Sequence, residues 1–321
     1  GRAVDVLRLD GDWPWPAEAT RAAARAAFAA LPEGACVIAD GLAFGALGAE
    51  VAPHAQRLRW LGLVHHPLHL ETGLEAAQAR RLRELETQAL RHVRQVVAVS
   101  ATTAREVAAL GVPAQRIAVV EPGNHPPPSL PRPDKAEGVQ LLCVATLTPR
   151  KDHALLLRAL SGLVGLHWTL HCVGSAERDT ACASGLIAST ASGPLAGRVV
   201  WHGELVDTAL HARYAAADVF VLASRYEGFG MVINEALLNG LPIVASPAGA
   251  LASTVPPGAG LLPPAGDEAA WREALARVIT DAALRERLAE GAREAARRLP
   301  SWAEQAARFD AVIEAVMGAR E

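Results

Sequence analysis

Short apolar runs alternate with longer amphipathic stretches along most of the chain. The runs are rich in Val, Ile and Leu and have the length of buried strands. They are ACVIAD, LRWLGLVHH and QVVAVS in the first part, and VQLLCVATL, HWTLHCVG, RVVWHG and DVFVLAS further on. Helical periodicity marks 17–31, 73–93, the segment DHALLLRAL and most of 267–317. Strands that alternate with helices favour parallel sheets, so the pattern predicts an α/β protein.

A proline-dense segment without periodicity, NHPPPSLPRPDKAEG, interrupts this alternation and is typical of a linker. The 321 residues are long enough for two domains of ordinary size. We predict an N-terminal Rossmann-like domain over 1–123, a linker over 124–138 and a second Rossmann-like domain over 139–300. We also predict a C-terminal helix over 301–321, and its return to the first domain is one arrangement that we consider. Two such domains predict a cleft between them, a default position for a small ligand.

Two helix ends carry capping signals. Thr103 and Glu106 are spaced as a capping box, which predicts a helix that opens at Thr103 and ends at Gly111. Gly240 predicts the end of another helix, and the strand Leu241–Ala245 follows it.

The stretch RYEGFGMVINEALLNGLPIVAS follows the apolar run DVFVLAS, which predicts a strand, a Gly-rich loop, a helix and a strand. Parallel sheets bind ligands at the carboxyl ends of their strands, and helix N-termini attract anions. Glu227 falls in the loop, and we expect Glu235 about two turns into the helix. Spacing alone leaves two interpretations open: a ligand-binding pair, or one acid that complements the helix dipole and one surface acid.

Two further features are expected at strand ends of the second half. Arg150 and Lys151 follow VATLTP and precede a helix, and two adjacent cations there suit a diphosphate. Lys151 is conspicuous because the chain contains only one other lysine; a solvated loop pair is the alternative. Gly174 ends the run LHCVG, and a glycine at this turn lets a ligand approach the backbone.

Composition narrows the possible partners and the compartment. The net charge of −3 gives no overall basic character, so nucleic acid is not an expected partner. Four cysteines without a C-x-x-C pair favour reduced thiols in a cytoplasmic protein. We recognise neither a signal peptide nor an apolar run long enough to span a membrane.

Membrane contact is expected to be weak or absent. Residues 1–123 carry 13 arginines against 13 acids, and Glu84 and Glu86 interrupt the most basic helix. The arginines of that helix and of the segment after it are Arg80, Arg81, Arg83, Arg91 and Arg94.

Three segments resemble the retaining glycosyltransferases of the large group-4 family. They are VATLTPRKDHALLLRAL, VVWHGELVDTALHARYAAADVFVLASRYEGFGMVINEALLNGLPIVAS and VVAVSATTAREVAALGVPAQRIAVVEPG. The resemblance covers roughly residues 57–262. It implies the GT-B fold, in which two Rossmann-like domains face each other across a cleft. The first domain would then serve the acceptor and the second would bind a nucleotide sugar.

The resemblance also implies roles for the Gly-rich loop and its helix. Glu227 would bind hydroxyls of the donor sugar, and Glu235 would bind the ribose hydroxyls of the nucleotide. Gly228, Phe229 and Gly230 would offer backbone N–H groups to the sugar or the diphosphate. The nucleotide base would lie against the loops after Gly174 and around 202–206.

By the same resemblance, Arg150 and Lys151 would hold the diphosphate and stabilise it as a leaving group. His65, rather than His66, would reach the donor sugar from the end of a first-domain strand. The sequence offers no obvious covalent nucleophile near His65, which favours displacement on the face from which the diphosphate departs.

The implied activity is transfer of a hexose-type sugar to an unknown acceptor, which is a glycan, a lipid-linked molecule or a small molecule. Neither a cofactor nor a metal ion is expected, and Asp10-Gly11-Asp12 is interpreted as a turn rather than a metal-binding D-x-D motif. The alternatives are a non-catalytic nucleotide-sugar binder and a nucleotide-sugar epimerase or hydrolase on the same fold.

One departure from the family concerns the start of the chain. Family members begin with a strand and a Gly-rich loop, whereas GRAVDVLRLDGD is interpreted as the family's second strand, already under way. The first domain is therefore expected to be incomplete.

Overall fold

The computed structural model describes residues 3–128 and 137–318. These residues form two compact units, one running up to Pro122 and resuming at Trp302, the other spanning Gly123–Ser301. Residues 129–136, the larger part of the predicted linker, lie outside the described residues.

The first unit contains a four-stranded parallel sheet with the order β1-β2-β3-β4. Its core packs Trp60 of the second strand against Phe28 and Phe44. The elements are α1 (Glu18–Ala30), β1 (Cys36–Asp40), α2 (Gly41–Phe44), α3 (Gly48–Val51), β2 (Arg59–Val64), α4 (Ala76–Leu90), β3 (Gln95–Ala98), α5 (Ala101–Ala109) and β4 (Ile117–Val119).

The second unit contains a six-stranded parallel sheet. Its elements are β5 (Val139–Val144), α6 (His153–Ser161), β6 (Trp168–Val173), α7 (Thr180–Thr190), β7 (Val199–Trp201), α8 (Asp207–Ala216), β8 (Val219–Leu222), α9 (Met231–Leu238), β9 (Ile243–Ala245), α10 (Leu251–Thr254), β10 (Gly260–Leu261), α11 (Glu268–Thr280) and α12 (Ala282–Ala296). The helix α13 (Trp302–Gly318) follows and belongs to the first unit, where Val316 joins a small core with Leu61 and Val97. The α/β class with two parallel sheets is confirmed.

The strand order of the second sheet is β10-β9-β8-β5-β6-β7. Counted from β5, this is the order 3-2-1-4-5-6 of a doubly wound nucleotide-binding sheet, and it reverses direction between β5 and β8. These central strands are buried on both faces, with Leu141, Leu142, Phe220 and Val221 among their fully buried side chains. Burial on both faces explains why the sequences of these strands are continuous apolar runs. The reversal of strand order places a crevice at the carboxyl ends of the strands.

Two local predictions in the first unit are wrong. Residues 3–10 form no strand, and Val4 and Val6 are exposed, because this stretch has no sheet neighbour with which to pair. The helix predicted to open at Thr103 begins at Ala101, and Ser100 is its N-cap. The Ser100 hydroxyl accepts a hydrogen bond from the Thr103 amide at 3.0 Å, which is the cap interaction itself.

The basic helix considered for membrane contact corresponds to α4. Glu86, which was expected to interrupt its basic face, is instead buried and accepts a hydrogen bond from the Leu68 amide at 3.0 Å. Glu84 stays exposed and pairs with Arg81 at 3.6 Å. Within 3–128 and 137–318, none of the helices combines the length and the apolar character needed to cross a bilayer.

Candidate functional site

Two loops of the second unit emerge on either side of the strand-order reversal. The loop after β5 makes a 3-10 turn over Pro149–Lys151, and the loop after β8 runs over 223–230 and carries Glu227. Backbone contacts join them, since the Arg225 amide donates to the Arg150 carbonyl at 2.8 Å. The two segments that the sequence marks for ligand binding therefore lie side by side.

The charged side chains of these loops contact one another directly. Glu227 Oε1 lies 2.5 Å from Lys151 Nζ, and Glu227 Oε2 lies 3.3 Å from an Arg150 guanidinium nitrogen. Arg150 also donates to the Tyr226 carbonyl at 3.0 Å, and the Ser224 hydroxyl donates to Glu227 Oε1 at 2.6 Å. The structure brings together three of the predicted site residues through ion pairs that sequence spacing did not suggest.

Glu227 is only 7% exposed, so its charge needs these partners. A buried carboxylate is costly unless it is paired and hydrogen-bonded, and here two cations and a hydroxyl satisfy it. Two cations and one carboxylate leave one net positive charge at the carboxyl edge of the sheet. Such a group attracts an anion and can also accept hydrogen bonds from that anion's neighbouring hydroxyls.

Glycines bring the backbone close to this group. Gly230 is the N-cap of α9 with φ +88°, a conformation that favours glycine, and no side chain of the described residues caps this helix end. A Cβ on Gly174 would come within 2.0 Å of the Ala145 carbonyl oxygen, so only glycine allows β6 to end against the loop after β5. Gly228 and Phe229 lie between Glu227 and this helix start and are half-buried.

A cavity of about 560 Å³ adjoins the charged group within the second unit. Lys151, Gly174 and Val232 line it near the two loops. Residues 175–178 and 204–205 supply most of its other wall, including Glu177, Arg178 and Glu204. Its volume suits a small ligand with polar and apolar parts.

Glu235 lies one turn into α9 rather than the expected two, because the helix begins at Met231. Its Oε2 accepts a hydrogen bond from the Tyr214 hydroxyl at 2.6 Å. Tyr214 is buried, and its burial, together with Glu235, raises the pKa of its phenol well above the usual value. The phenol therefore stays a hydrogen-bond donor and orients the half-buried Glu235 carboxylate.

His65 belongs to the first unit, directly after β2, and is 55% exposed. Its Nε2 lies 3.1 Å from Asp40 Oδ2. The hydrogen bond with His65 lowers the pKa of Asp40, and the Leu42 amide, which donates to Oδ1 at 2.9 Å, adds to this effect. Both Asp40 oxygens are thus engaged. The role of His65 toward a sugar stays a prediction.

The sequence patterns missed several residues that support the candidate site. Ser224 and Tyr214 orient the two glutamates, as described above. Gly249, with φ +62°, lets the loop after β9 pass close to the Glu227 backbone, whose carbonyl accepts from the Ala250 amide at 2.8 Å. Thr254 donates its hydroxyl to the Phe229 carbonyl at 3.0 Å. Only Gly249 in the segment PAGA over 247–250 could have indicated a tight approach.

Asp12 precedes a turn at 13–14, and its carbonyl accepts from the Trp15 amide at 2.8 Å. The Asp10 carbonyl accepts from the Thr20 hydroxyl at 2.9 Å. Across the part of the chain that the structure describes, His, Cys, Asp and Glu side chains do not gather in groups of three or more that could hold a metal ion.

Solved structures share this architecture. Sucrose-phosphate synthase from Thermosynechococcus elongatus superposes with a TM-score of 0.78 at 23% identity, covering 94% of this chain and 79% of its own. Anabaena HepE, solved in complex with UDP and glucose, superposes with a TM-score of 0.74 at 19% identity, covering 92% and 81%. The fold is therefore that of the GT-B class.

Sequence comparison gives the family. Residues 138–281 match the family described as glycosyl transferases group 1, and residues 5–125 match glycosyltransferase family 4. The D-inositol 3-phosphate glycosyltransferase of Saccharomonospora viridis is 30% identical over 259 residues, covering 73% of this chain and 52% of the relative. The chain thus matches about half the length of that relative. It belongs to the group 1 and family 4 glycosyltransferases.

Proposed function

We propose that this protein is a retaining glycosyltransferase that moves a hexose-type sugar from a nucleoside-diphosphate sugar to a glycan, a lipid-linked molecule or a small molecule. The observation that carries the proposal is the contact of Arg150 and Lys151 with Glu227 beside the strand-order reversal. A sugar diphosphate offers negative charge and hydroxyl donors side by side, which is what this group binds. Family membership and the UDP and glucose held by the related HepE support the same donor class.

In this proposal the diphosphate binds Arg150, Lys151 and the backbone N–H groups of 228–230. Glu227 accepts hydrogen bonds from the sugar, and Glu235 accepts them from the ribose. The base lies in the cavity between 175–178 and 204–205.

The transfer follows from this placement. The bond between the anomeric carbon and the diphosphate oxygen breaks, and its electron pair goes to the diphosphate, whose charge the cations stabilise. The acceptor oxygen bonds to the anomeric carbon on the same face, and its proton passes to the departing diphosphate oxygen. Protein cations thereby perform the charge stabilisation that a metal ion supplies in other enzymes, so no metal is required.

A thermal-shift screen of nucleoside diphosphates and their sugar conjugates tests the donor class. The best donor is then incubated with candidate acceptors, and the anomeric configuration of the product is read by NMR. We expect a product with retained configuration, weaker donor binding in Lys151→Met, and wild-type behaviour in Arg158→Gln, which alters only an exposed ion pair with Glu268. Free or inverted sugar without acceptor would instead indicate a hydrolase or an epimerase, and binding without any turnover would indicate a binder.

A further inference from the structure

Asp152 and Arg225 connect the two loops of the candidate site. Arg225 Nε donates to Asp152 Oδ2 at 2.8 Å. The carboxylate is 4% exposed, whereas the guanidinium side chain is 58% exposed. Asp152 follows Lys151 directly and Arg225 precedes Glu227 by two residues, so the pair lies beside the charged group without belonging to it.

The backbone of Asp152 is in a conformation that most residue types avoid and that Asp and Asn tolerate better than others do. Its φ of 46° and ψ of 43° place it in the left-handed region, which few residues other than glycine enter. Both carboxylate oxygens offset this strain: Oδ1 accepts from the Leu155 amide at 3.2 Å and caps α6, and Oδ2 accepts from Arg225. One residue thus fixes the start of a helix and holds the opposite loop.

The ion pairs of Glu227 are expected to weaken when a donor binds. A donor that binds Lys151 through phosphate and Glu227 through hydroxyls uses the same atoms that make the Lys151–Glu227 pair. The Asp152–Arg225 pair and the backbone bond from Arg225 to Arg150 use other atoms, so the proposed donor contacts do not displace them.

We propose that Asp152 is a positioning residue that, through Arg225, keeps the cations of one loop in register with the carboxylate of the other. The identity of the ligand as a nucleoside-diphosphate sugar rests on the proposed function, whereas the coupling between the two loops does not. Register matters because displacements of about 1 Å among binding groups are enough to reduce reaction rates strongly.

The test compares Asp152→Asn, Arg225→Gln and the double variant of the full chain. Asparagine keeps an oxygen for the cap and tolerates the left-handed region, but loses the charge that attracts Arg225. Asp152→Gly, which relieves the backbone strain, is the second variant should Asp152→Asn fold poorly. The matched control is Arg158→Gln, since Arg158 pairs with Glu268 at 3.1 Å on the same helix α6 but away from both loops.

The first readout is amide hydrogen exchange over 146–155 and 223–230. We expect exchange to accelerate about tenfold in both segments for each single variant, with unchanged protection of β5 and β8, and no further acceleration in the double variant. Unchanged exchange over 223–230 in Asp152→Asn, additive effects in the double variant, or a uniform acceleration across the second unit would each overturn the proposal.

The second readout is the Kd for UDP, GDP and ADP by calorimetry. We expect the best ligand to bind about tenfold more weakly to each single variant and unchanged to Arg158→Gln. Weaker binding in Arg225→Gln alone would show that Arg225 contacts the ligand itself and that Asp152 does not position it. Wild-type protein that binds none of the three would contradict the proposed function, while the exchange data would still decide the coupling.

Discussion

Lys151 Nζ and Glu227 Oε1 are 2.5 Å apart, so a cation assigned to the diphosphate and an acid assigned to the sugar contact each other directly. The ammonium has further N–H donors for a diphosphate, but the Glu227 carboxylate offsets part of the positive charge that the diphosphate would meet at Lys151. The two residues cannot be regarded as independent binding groups, and substitution of either one changes what the other is free to do.

Glu227→Gln is expected to abolish transfer while strengthening the binding of nucleoside diphosphates, by about tenfold. Glutamine is nearly isosteric but removes the charge that competes for Lys151 and Arg150. Calorimetry and a transfer assay measure the two effects separately. Glu268→Gln, at an exposed carboxylate, is the control. Weaker diphosphate binding in Glu227→Gln would show that the carboxylate mainly orients the cations.

Lys151→Met is expected to weaken binding of the diphosphate by about 2–3 kcal/mol, the contribution of a charge-assisted hydrogen bond. It also leaves Glu227 with fewer partners, which lowers the thermal unfolding temperature. The double variant Lys151→Met with Glu227→Gln should recover much of the lost thermal stability, because the buried Glu227 carboxylate is then no longer present without its Lys151 partner. An unchanged dissociation constant for Lys151→Met would favour the alternative interpretation, in which Lys151 is a solvated loop residue.

Tyr214→Phe is expected to weaken nucleotide binding less than Glu235→Gln does, because it removes the group that orients the carboxylate and not the carboxylate itself. Glu235→Gln should lose the preference for ribose over 2′,3′-dideoxyribose nucleotides. Competition binding with both sugar types measures the preference. Equal discrimination in Glu235→Gln and wild type would remove Glu235 from the ribose site.

His153 predicts a loss of stability in mild acid. Burial lowers its pKa to about 4, and Lys151 adds to the shift. In the unfolded chain the pKa is about 6.5, so between pH 6.5 and pH 4 the unfolded state binds the extra proton and stability falls as pH falls. The expected contribution is about 2 kcal/mol between pH 7 and pH 5.

Urea unfolding at pH 7 and pH 5 measures this loss. His153→Gln should reduce the pH dependence, whereas His167→Gln, at an exposed position, should leave it unchanged. His171, whose pKa burial also lowers to about 4, contributes a parallel loss that the His153 variant retains. An unaltered pH dependence in His153→Gln would mean that His153 is protonated in the folded protein.

Eight of the ten strands that the structure describes were predictable because they lie in short apolar runs, as the central strands buried on both faces require. The strands β4 and β10, which are only three and two residues long, were missed. The helices α7 and α8 were not identified, since neither TACASGLIAST nor DTALHARYAA has a distinct apolar stripe. The strand expected over GRAVDVLRLDGD failed because alternation alone does not supply a neighbouring strand.

The candidate site likewise has residues whose positions were predictable from the sequence and contacts that were not. The loop positions of Arg150, Lys151 and Glu227 were predictable because loop position is a local property of a sequence, and their binding roles stay predictions. Asp40 beside His65 and Tyr214 beside Glu235 were missed, because these contacts join different elements and are created by the fold. Spacing along the chain carries no signal for such pairs.

Transfer is expected to continue after treatment with EDTA. In the proposed mechanism Arg150, Lys151 and the N–H groups around Gly228–Gly230 stabilise the departing diphosphate, and no step passes through a divalent ion. Asp10→Ala combined with Asp12→Ala should change the rate little, because their backbone carbonyls, rather than their side chains, make the contacts with Thr20 and Trp15. The assay compares wild type and the double variant with and without chelator, on the donor found by the thermal-shift screen. Activity that disappears on chelation and returns with manganese or magnesium would contradict the mechanism and would make Asp10 and Asp12 candidates for metal ligands.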